Sequence, residues 1–369
     1  MISYILPTRN RPDRLAETLA ALGRLSGDDH AAFGGAAVIV VDNASDPPAD
    51  PPRKLSNGLP VETIRLRANE GAAARNRAAR RAAGEWLVML DDDSFLLDTA
   101  FLEVLATLPS DVAALGADIT LPDGRREDGG LPEVFVGCGA AVRRGAFLDA
   151  GGYDPAFHFY AEEYDLCAKL LLAGHRVVHD GRFRVRHAKV DAGRDPNLIL
   201  QRLVRNNGWI AQRFAPPDRR LEQLGHTILR YSRIAIRERA AAGFARGMKE
   251  LLGTLERQPA SPMDEPLFDR FTGLAAVREI LAGEPVLRGG AVVCVVDEGK
   301  NAWVVRQVLA ELGAGVVEDE ARADVLVIGT LSPGPMMDAW ERRRGGSRPV
   351  VRPWIPSRQD VPAPVATAG

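Results

Sequence analysis

The chain begins with short apolar runs that alternate with segments of helical period. Residues 2–6 form a buried-strand run stopped by Pro7, and residues 11–22 then set Leu15, Thr18, Leu19 and Leu22 on one helical face. Residues 38–41 run into Asp42 and a loop of turn formers, and residues 61–66 alternate as a half-buried strand. Residues 71–83 are rich in Ala and Arg and read as a helix that closes on Gly84, placed as its C-terminal cap. Residues 86–90 are the next apolar run and lead directly into Asp91, Asp92 and Asp93. This order predicts an α/β fold with a parallel sheet built from βαβ units.

Further along, the pattern predicts a helix ending near 108, a strand over 112–119, a polar hairpin over 122–132 and a strand over 134–142. A helix over 160–173 closed by Gly174 and two short strands over 176–179 and 182–186 follow. Residues 196–283 read as mainly helical, with Leu221, Leu224, Ile228 and Tyr231 as one stripe. After a linker near 283–290, apolar runs at 291–296, 324–328 and 349–351 enclose helices over 301–312 and 335–343. A chain of 369 residues exceeds what one core covers, roughly 250–300 residues. The expected organisation is an α/β domain over 1–195, a helical region over 196–284, and a small α/β domain over 285–369 whose tail frays from Pro362.

Composition narrows the class. With 46% hydrophobic and 26% charged residues the chain can bury a core, which excludes wholesale disorder. The longest apolar runs fall far short of the ~20 residues that span a bilayer. Pro7, Thr8 and Arg9 interrupt the N-terminal run before a secretory apolar core develops, so no leader is expected. Cys138, Cys167 and Cys294 lack the paired spacing of a disulfide framework, which places the chain in a reducing cytoplasm. A net charge of −2 gives no case for a nucleic-acid partner. Lys and Arg nevertheless outnumber Asp and Glu over 176–249, so that stretch either faces anions, including the inner face of a membrane, or is a solvated helical surface.

Three adjacent carboxylates at a strand end carry the clearest chemistry, because open α/β sheets bind ligands just beyond such ends. Their mutual repulsion calls for a cation, and hard oxygen donors suit Mg²⁺ or Mn²⁺ shared with a phosphate-bearing ligand. The competing reading is a helix-capping cluster. Asp42 stands at another strand end on the same edge, either to accept hydrogen bonds from a nucleoside or to hold its own Asx-turn. Backbone amides after Leu6 and at Gly71 are positioned to approach a diphosphate.

The segments 4–15 (YILPTRNRPDRL), 40–46 (VVDNASD), 69–94 (NEGAAARNRAARRAAGEWLVMLDDDS), 136–178 and 185–190 (VRHAKV), in that order and spacing, resemble a family 2 glycosyltransferase of the GT-A fold over about residues 1–190. The resemblance implies a Rossmann-like mixed sheet that takes a nucleotide-sugar donor of the UDP, GDP or dTDP type. It implies that Pro7, Thr8, Arg9 and Asp42 hold the nucleoside and that Asn69, Gly71, Arg75 and Asn76 shape the diphosphate side. Asp91 and Asp93 would be the outer residues of the D-x-D metal and ribose motif, with Asp92 between them. His187 would complete the metal shell. Gly139 lies in the acceptor-side segment 137–142, and Glu162 and Glu163 stand where the family has Glu-Asp, which makes Glu163 the expected catalytic base although it is one methylene longer. These carboxylates and Asp165 could equally cap the first turn of their helix.

The expected reaction is metal-assisted inverting transfer to a hydroxyl of a saccharide, lipid-linked or small-molecule acceptor. A base removes the hydroxyl proton and a cation stabilises the departing nucleoside diphosphate, so no enzyme nucleophile is needed. A nucleotidyltransferase is disfavoured because Pro7 stands where a glycine-rich phosphate loop belongs. A non-catalytic nucleotide-sugar-binding module is disfavoured by Glu163. The C-terminal unit lacks G-x-G-x-x-G after its first strand and reads as a Rossmann-like accessory or homodimerisation module, with Trp303, Trp340 and Trp354 as packing residues.

Overall fold

The computed structural model describes residues 1–189 and 195–356; the tail expected to fray from Pro362 lies outside them. The first half runs β1 (Ile2–Thr8), α1 (Pro12–Gly23), α2 (Gly27–Ala32), β2 (Ala36–Asp42), β3 (Val61–Arg65), α3 (Arg75–Arg81), β4 (Trp86–Leu90) and β5 (Ser94–Leu96). It continues through α4 (Phe101–Thr107), β6 (Val112–Thr120), β7 (Gly139–Arg143), α5 (Arg144–Asp149), α6 (Glu162–Leu172) and β8 (Arg176–His187). Among the described residues these strands form one mixed sheet in the order β3-β2-β1-β4-β7-β6-β8-β5. The first four are mutually parallel, and β7 runs antiparallel to both β4 and β6.

The central strands are apolar throughout because both faces are covered. Ile2, Tyr4 and Leu6 of β1 pack on Leu15, Leu19 and Leu22 of α1. Ile5, Ile39 and Met89 lie on the opposite face, in a cluster that extends without a break into the C-terminal third of the chain.

That remainder starts with α7 (Pro196–Phe214), α8 (Arg220–Arg237), α9 (Ala241–Thr254), α10 (Glu265–Thr272) and α11 (Leu274–Gly283). It ends with β9 (Val292–Val296), α12 (Ala302–Glu311), β10 (Gly315–Val317), β11 (Val325–Ile328), α13 (Pro333–Arg343) and β12 (Val350–Val351). The last four strands make an all-parallel sheet in the order β10-β9-β11-β12. Of the three tryptophans, Trp354 is buried and donates to the Leu331 carbonyl at 3.0 Å, and Trp303 packs against His226 of α8 with ring centroids 4.8 Å apart. Trp340 lies under the guanidinium groups of Arg344 and Arg352. No described helix is long and apolar enough to cross a membrane.

Several details depart from the sequence reading. The strand expected over 134–142 starts only at Gly139, because the Gly139 amide turns back to the Val136 carbonyl at 3.1 Å. The two strands expected after Gly174 are one, β8, whose pairing with β6 jumps from Gly116–His179 to Asp118–Arg184. Leu221 leaves the expected apolar stripe and is 82% exposed, whereas Tyr231 is buried. Arg213 is not a surface cation but is buried in ion pairs with Asp154 and Asp165.

Gly84 does not cap its helix through a positive φ; a Cβ there would lie 2.6 Å from the Ile2 carbonyl carbon and the Ser3 nitrogen. The glycine is required by backbone approach to β1. Gly84→Ala should therefore cost about 1–3 kcal/mol, the usual range for overpacking, and chemical denaturation with an unchanged m-value checks it.

Candidate active site

The parallel register brings three strand ends to one edge, since Ile2 pairs with Ala36 and Trp86 and Thr8 pairs with Asp42. Gly139 of the antiparallel β7 pairs with Leu90, so Cys138 arrives at the same edge from the other direction. The short β5 places Ser94 opposite His187, and the Ala188 amide donates to the Asp93 carbonyl at 2.8 Å. A cavity of about 510 Å³ opens over this edge, within the range that accommodates small-molecule ligands. Pro7, Thr8, Arg9, Asn69, Gly71, Arg75, Asp91, Asp92, Asp93, Glu162, Glu163 and His187 all line it.

The three aspartates have different surroundings. Asp91 is the most accessible, and the buried Arg75 guanidinium donates to it. Burial disfavours the Arg75 cation, but Asp91 and Glu162 hold it charged. Asp92 is buried, accepts from Thr8 Oγ1 at 2.8 Å and Arg11 Nη1 at 3.0 Å, and is pushed above the usual carboxylate range by burial. Asp93 accepts from Arg11 Nη1 at 3.1 Å and lies 3.3 Å from His187 Nε2. Burial works against its charge, yet His187 and Arg11 keep it below its ordinary value.

On its other side, His187 Nδ1 lies 2.8 Å from Glu127 Oε2, and Glu127 also pairs with Lys189 at 2.7 Å. Burial opposes the imidazolium, but hydrogen bonds with Asp93, Cys138 and Glu127 push His187 up to about 12. A metal held here would need the ring in its neutral form. Asp91, Cys138 and His187 offer ligand atoms within 4.8 Å of one another. Cys138 takes the third place expected for Asp93, whose carboxylate is engaged by Arg11 and His187. Burial raises the Cys138 thiol and so disfavours its thiolate. The remaining donors, aspartate oxygens and one imidazole, fit Mn²⁺ better than Mg²⁺.

Glu162 and Glu163 open α6 immediately after a backbone run in which His158, Tyr160 and Ala161 have φ of 62°, 72° and 66°. Such left-handed residues persist only where surrounding structure holds them. Here the buried Asn206 amide of α7 donates to the carbonyls of Phe157, Phe159 and Tyr160 at 3.1, 2.9 and 2.7 Å. The loop thus aims the helix start at the cavity. Each glutamate keeps a buried Oε2 with no hydrogen-bond partner among the described residues. Burial raises both carboxyls, and Glu163 pushes Glu162 further still, so the pair does not ionise as two ordinary carboxylates.

Three expected site residues do not line the cavity. The buried Asp42 carboxylate accepts from the Ser45 and Ala49 amides at 2.8 and 2.9 Å, so it organises its own loop, and neighbouring Asn43 faces the cavity instead. Asn76 forms a two-way bond with the Tyr153 backbone at 2.8 and 2.9 Å, and Gly139 packs so closely on β6 that a Cβ would lie 2.9 Å from Ile119. The Gly71 and Ala72 amides are also taken, by Asn69 Oδ1 and the His158 carbonyl, so they are not free for a diphosphate. Sequence reasoning missed Arg11, Glu127, Asp128 and Cys138. Arg11 was marked only by lying within the segment 4–15, and Glu127 and Asp128 lie in a hairpin without periodicity.

With the geometry in place, the chain can be set beside known proteins. Residues 3–147 match the family model described as "Glycosyl transferase family 2". This span is a family 2 glycosyltransferase domain. The match takes in β1 through most of α5 and so covers the aspartates but ends before Glu162, Glu163 and His187. An uncharacterized glycosyltransferase of Haemophilus influenzae is 29% identical to the chain over 197 residues, 46% of this chain and 62% of the relative, so less than two thirds of that protein is matched. Crystalline S. aureus TarS 1-349 is similar with a TM-score of 0.48 and 16% identity, over 75% of this chain and 84% of that one. The Pyrobaculum calidifontis mannosyltransferase PcManGT, solved with GDP-Man and Mn²⁺, has a TM-score of 0.44 and 16% identity over 84% of each chain. The strands of the matched span belong to the mixed sheet expected from the sequence.

Proposed function

We propose that the chain transfers a sugar from a nucleoside-diphosphate donor to an acceptor hydroxyl by a divalent-metal-assisted inverting displacement. One observation carries this reading: a single cavity holds the aspartate and histidine donor group at one wall and a buried carboxylate, Glu163, at another. Asp91 and His187 are the residues that would hold Mn²⁺, with Asp93 beside them on His187, and the ion would supply positive charge to the leaving diphosphate. Arg9 faces the cavity without an ion pair among the described residues and is the side chain that meets the donor phosphates. Arg75 orients Asp91. Glu163 accepts the acceptor hydroxyl proton, and the freed oxygen attacks the anomeric carbon in line with the departing nucleotide. Burial suits Glu163 to this task, because a raised carboxyl is a better base than an ordinary one near neutrality.

The donor class is testable by thermal shift with UDP, GDP, dTDP and CDP, each with and without Mn²⁺. A nucleotide at 100 times its dissociation constant should add ~2.7 kcal/mol to stability, with the increment dependent on Mn²⁺. Equal melting curves with every nucleotide at saturating concentration would remove the donor-site reading.

A further inference from the structure

The C-terminal α/β unit is joined to the transferase domain at two places that flank the acidic wall of the cavity. On one side, Arg126, just before Glu127 and Asp128, bonds to Asp118 of β6 and to Asp338 and Glu341 of α13 at 2.8–2.9 Å. Ser332 exchanges hydrogen bonds with the Gly129 backbone at 2.8 and 2.6 Å, so the loop carrying Asp128 is fastened to the start of α13. On the other side, the loop after β9 brings Lys300 to Tyr164, the residue following Glu163. Its ammonium donates to the Tyr164 hydroxyl and lies 3.7 Å from the ring centroid.

The Lys300 backbone is fixed independently of its side chain. Its carbonyl accepts from the Leu331 amide at 2.9 Å, the Gly299 amide donates to the Gly329 carbonyl at 2.9 Å, and Asn301 Nδ2 donates to the Thr272 carbonyl at 3.0 Å. Asp297 and Asn301 on either side of it have φ of 51° and 56°, a tight loop that these bonds hold. Lys300 forms no ion pair within 4 Å among the described residues, yet it faces Glu163 and Asp128 electrostatically.

We propose that Lys300 is a positioning residue for Glu163: the C-terminal unit inserts a cation behind the base and, through Tyr164, fixes the first turn of α6. This inference rests on the transferase reading above. The groups facing Glu163 are Lys300 of the β9 loop, Glu162 on its own helix and Arg75 of α3, while Asp128 of the 127–130 loop and Arg230 of α8 face Lys300 and Tyr164. Burial opposes the ionised Glu163 carboxylate, and Lys300, a hydrogen bond with Glu162, and Arg75 favour it. Reciprocally, burial and then Arg230 pull Lys300 down to about 7, while Asp128 and Glu163 hold its charge. Glu163 and Lys300 thus stabilise each other's charged form in a site that penalises both.

Two measurements test this on the full chain. In transfer assays from about pH 5 to pH 9, Lys300→Met should lower kcat/KM roughly tenfold at neutral pH and move the acidic limb of the profile to higher pH, with Lys300→Arg restoring most of the loss. A profile for Lys300→Met that coincides with wild type would overturn the proposal, as would a uniform loss with no movement of the limb. The second measurement needs no turnover: melting temperatures at pH 7 of wild type, Lys300→Met, Glu163→Gln and the double variant form a cycle. Lys300→Met should lower stability in the wild-type background and lower it less, or raise it, when Glu163 is already glutamine. Additive shifts would sink the pairing whatever the kinetics show. If the cycle is coupled but wild type transfers sugar from no nucleotide donor, the pairing stands and the transferase reading is what fails.

Discussion

Glu163→Gln is expected to slow sugar transfer by about 10²–10⁴-fold and to leave donor affinity nearly unchanged. Glutamine keeps the volume and the hydrogen-bonding reach of the side chain, so the wall of the cavity remains. What it loses is the lone pair that takes a proton from the acceptor hydroxyl at neutral pH. The donor half of the cavity, around Arg9, Asp91 and His187, is built from β1, β4 and β8 and does not depend on the charge of Glu163. The loss should therefore fall on kcat, with the dissociation constant for nucleotide and Mn²⁺ held by calorimetry near the wild-type value. The pH dependence has a definite sign. A base works only when deprotonated, and burial raises Glu163, so wild-type activity must rise with pH through a range above that of an ordinary glutamate. Glu162→Gln provides the contrast. It removes the hydrogen-bonding neighbour that holds Glu163 down and should shift that limb to higher pH without removing the base. A wild-type rate for Glu163→Gln, or a larger loss for Glu162→Gln, would transfer the role to another group.

The parts of this site that could be read from sequence were those where a strong local pattern meets a chain break. An apolar strand that runs directly into Asp91, Asp92 and Asp93 fixes both the element and its ligand-facing end, and the sheet topology then leaves few places for the carboxylates. Asp42 has the same local signature and a different fate, because its carboxylate is consumed by the amides of Ser45 and Ala49. Only the course of the loop beyond β2 decides between the two uses, and no periodicity encodes it. His187 was placed by resemblance, but its partner Glu127 lies 60 residues away and meets it only through the β6–β8 pairing. Cys138 was legible as a cysteine outside any disulfide framework and not as a cavity wall, since the turn at Val136–Gly139 replaces the strand predicted there. Lys300 is the extreme case. It sits in a loop of a different sheet, and its approach to Tyr164 follows from how α10, α11 and α13 dock, which is a property of tertiary packing alone.

Arg213→Leu is expected to destabilise the protein by about 3–5 kcal/mol, because it removes one of the two cations paired with a carboxylate that has no exposure of its own. Arg213 Nη1 lies 2.8 Å from both Asp154 and Asp165, and Asp165 is fully buried two residues beyond Glu163 on α6. Gln258 Oε1 accepts two further bonds from the guanidinium at 3.0 and 2.7 Å, and the planar group sits over Phe157 at 4.8 Å. One side chain of α7 therefore ties together α6, the 152–161 loop and the segment that follows α9. Leucine would fill much of the space but leave Asp165 with the Lys169 ammonium, 2.5 Å away, as its one remaining ion-pair partner among the described residues. Urea midpoints of the variant and wild type would measure the cost. The double change Arg213→Leu with Asp165→Leu separates stranded charge from lost packing, since replacing both members of a buried pair by apolar groups is often close to neutral. The double variant should therefore be more stable than Arg213→Leu alone. If it is less stable by the full cost of a second buried substitution, the guanidinium acts through its contacts with Phe157 and Gln258, and the ion pair with α6 contributes little to holding Glu163 in place.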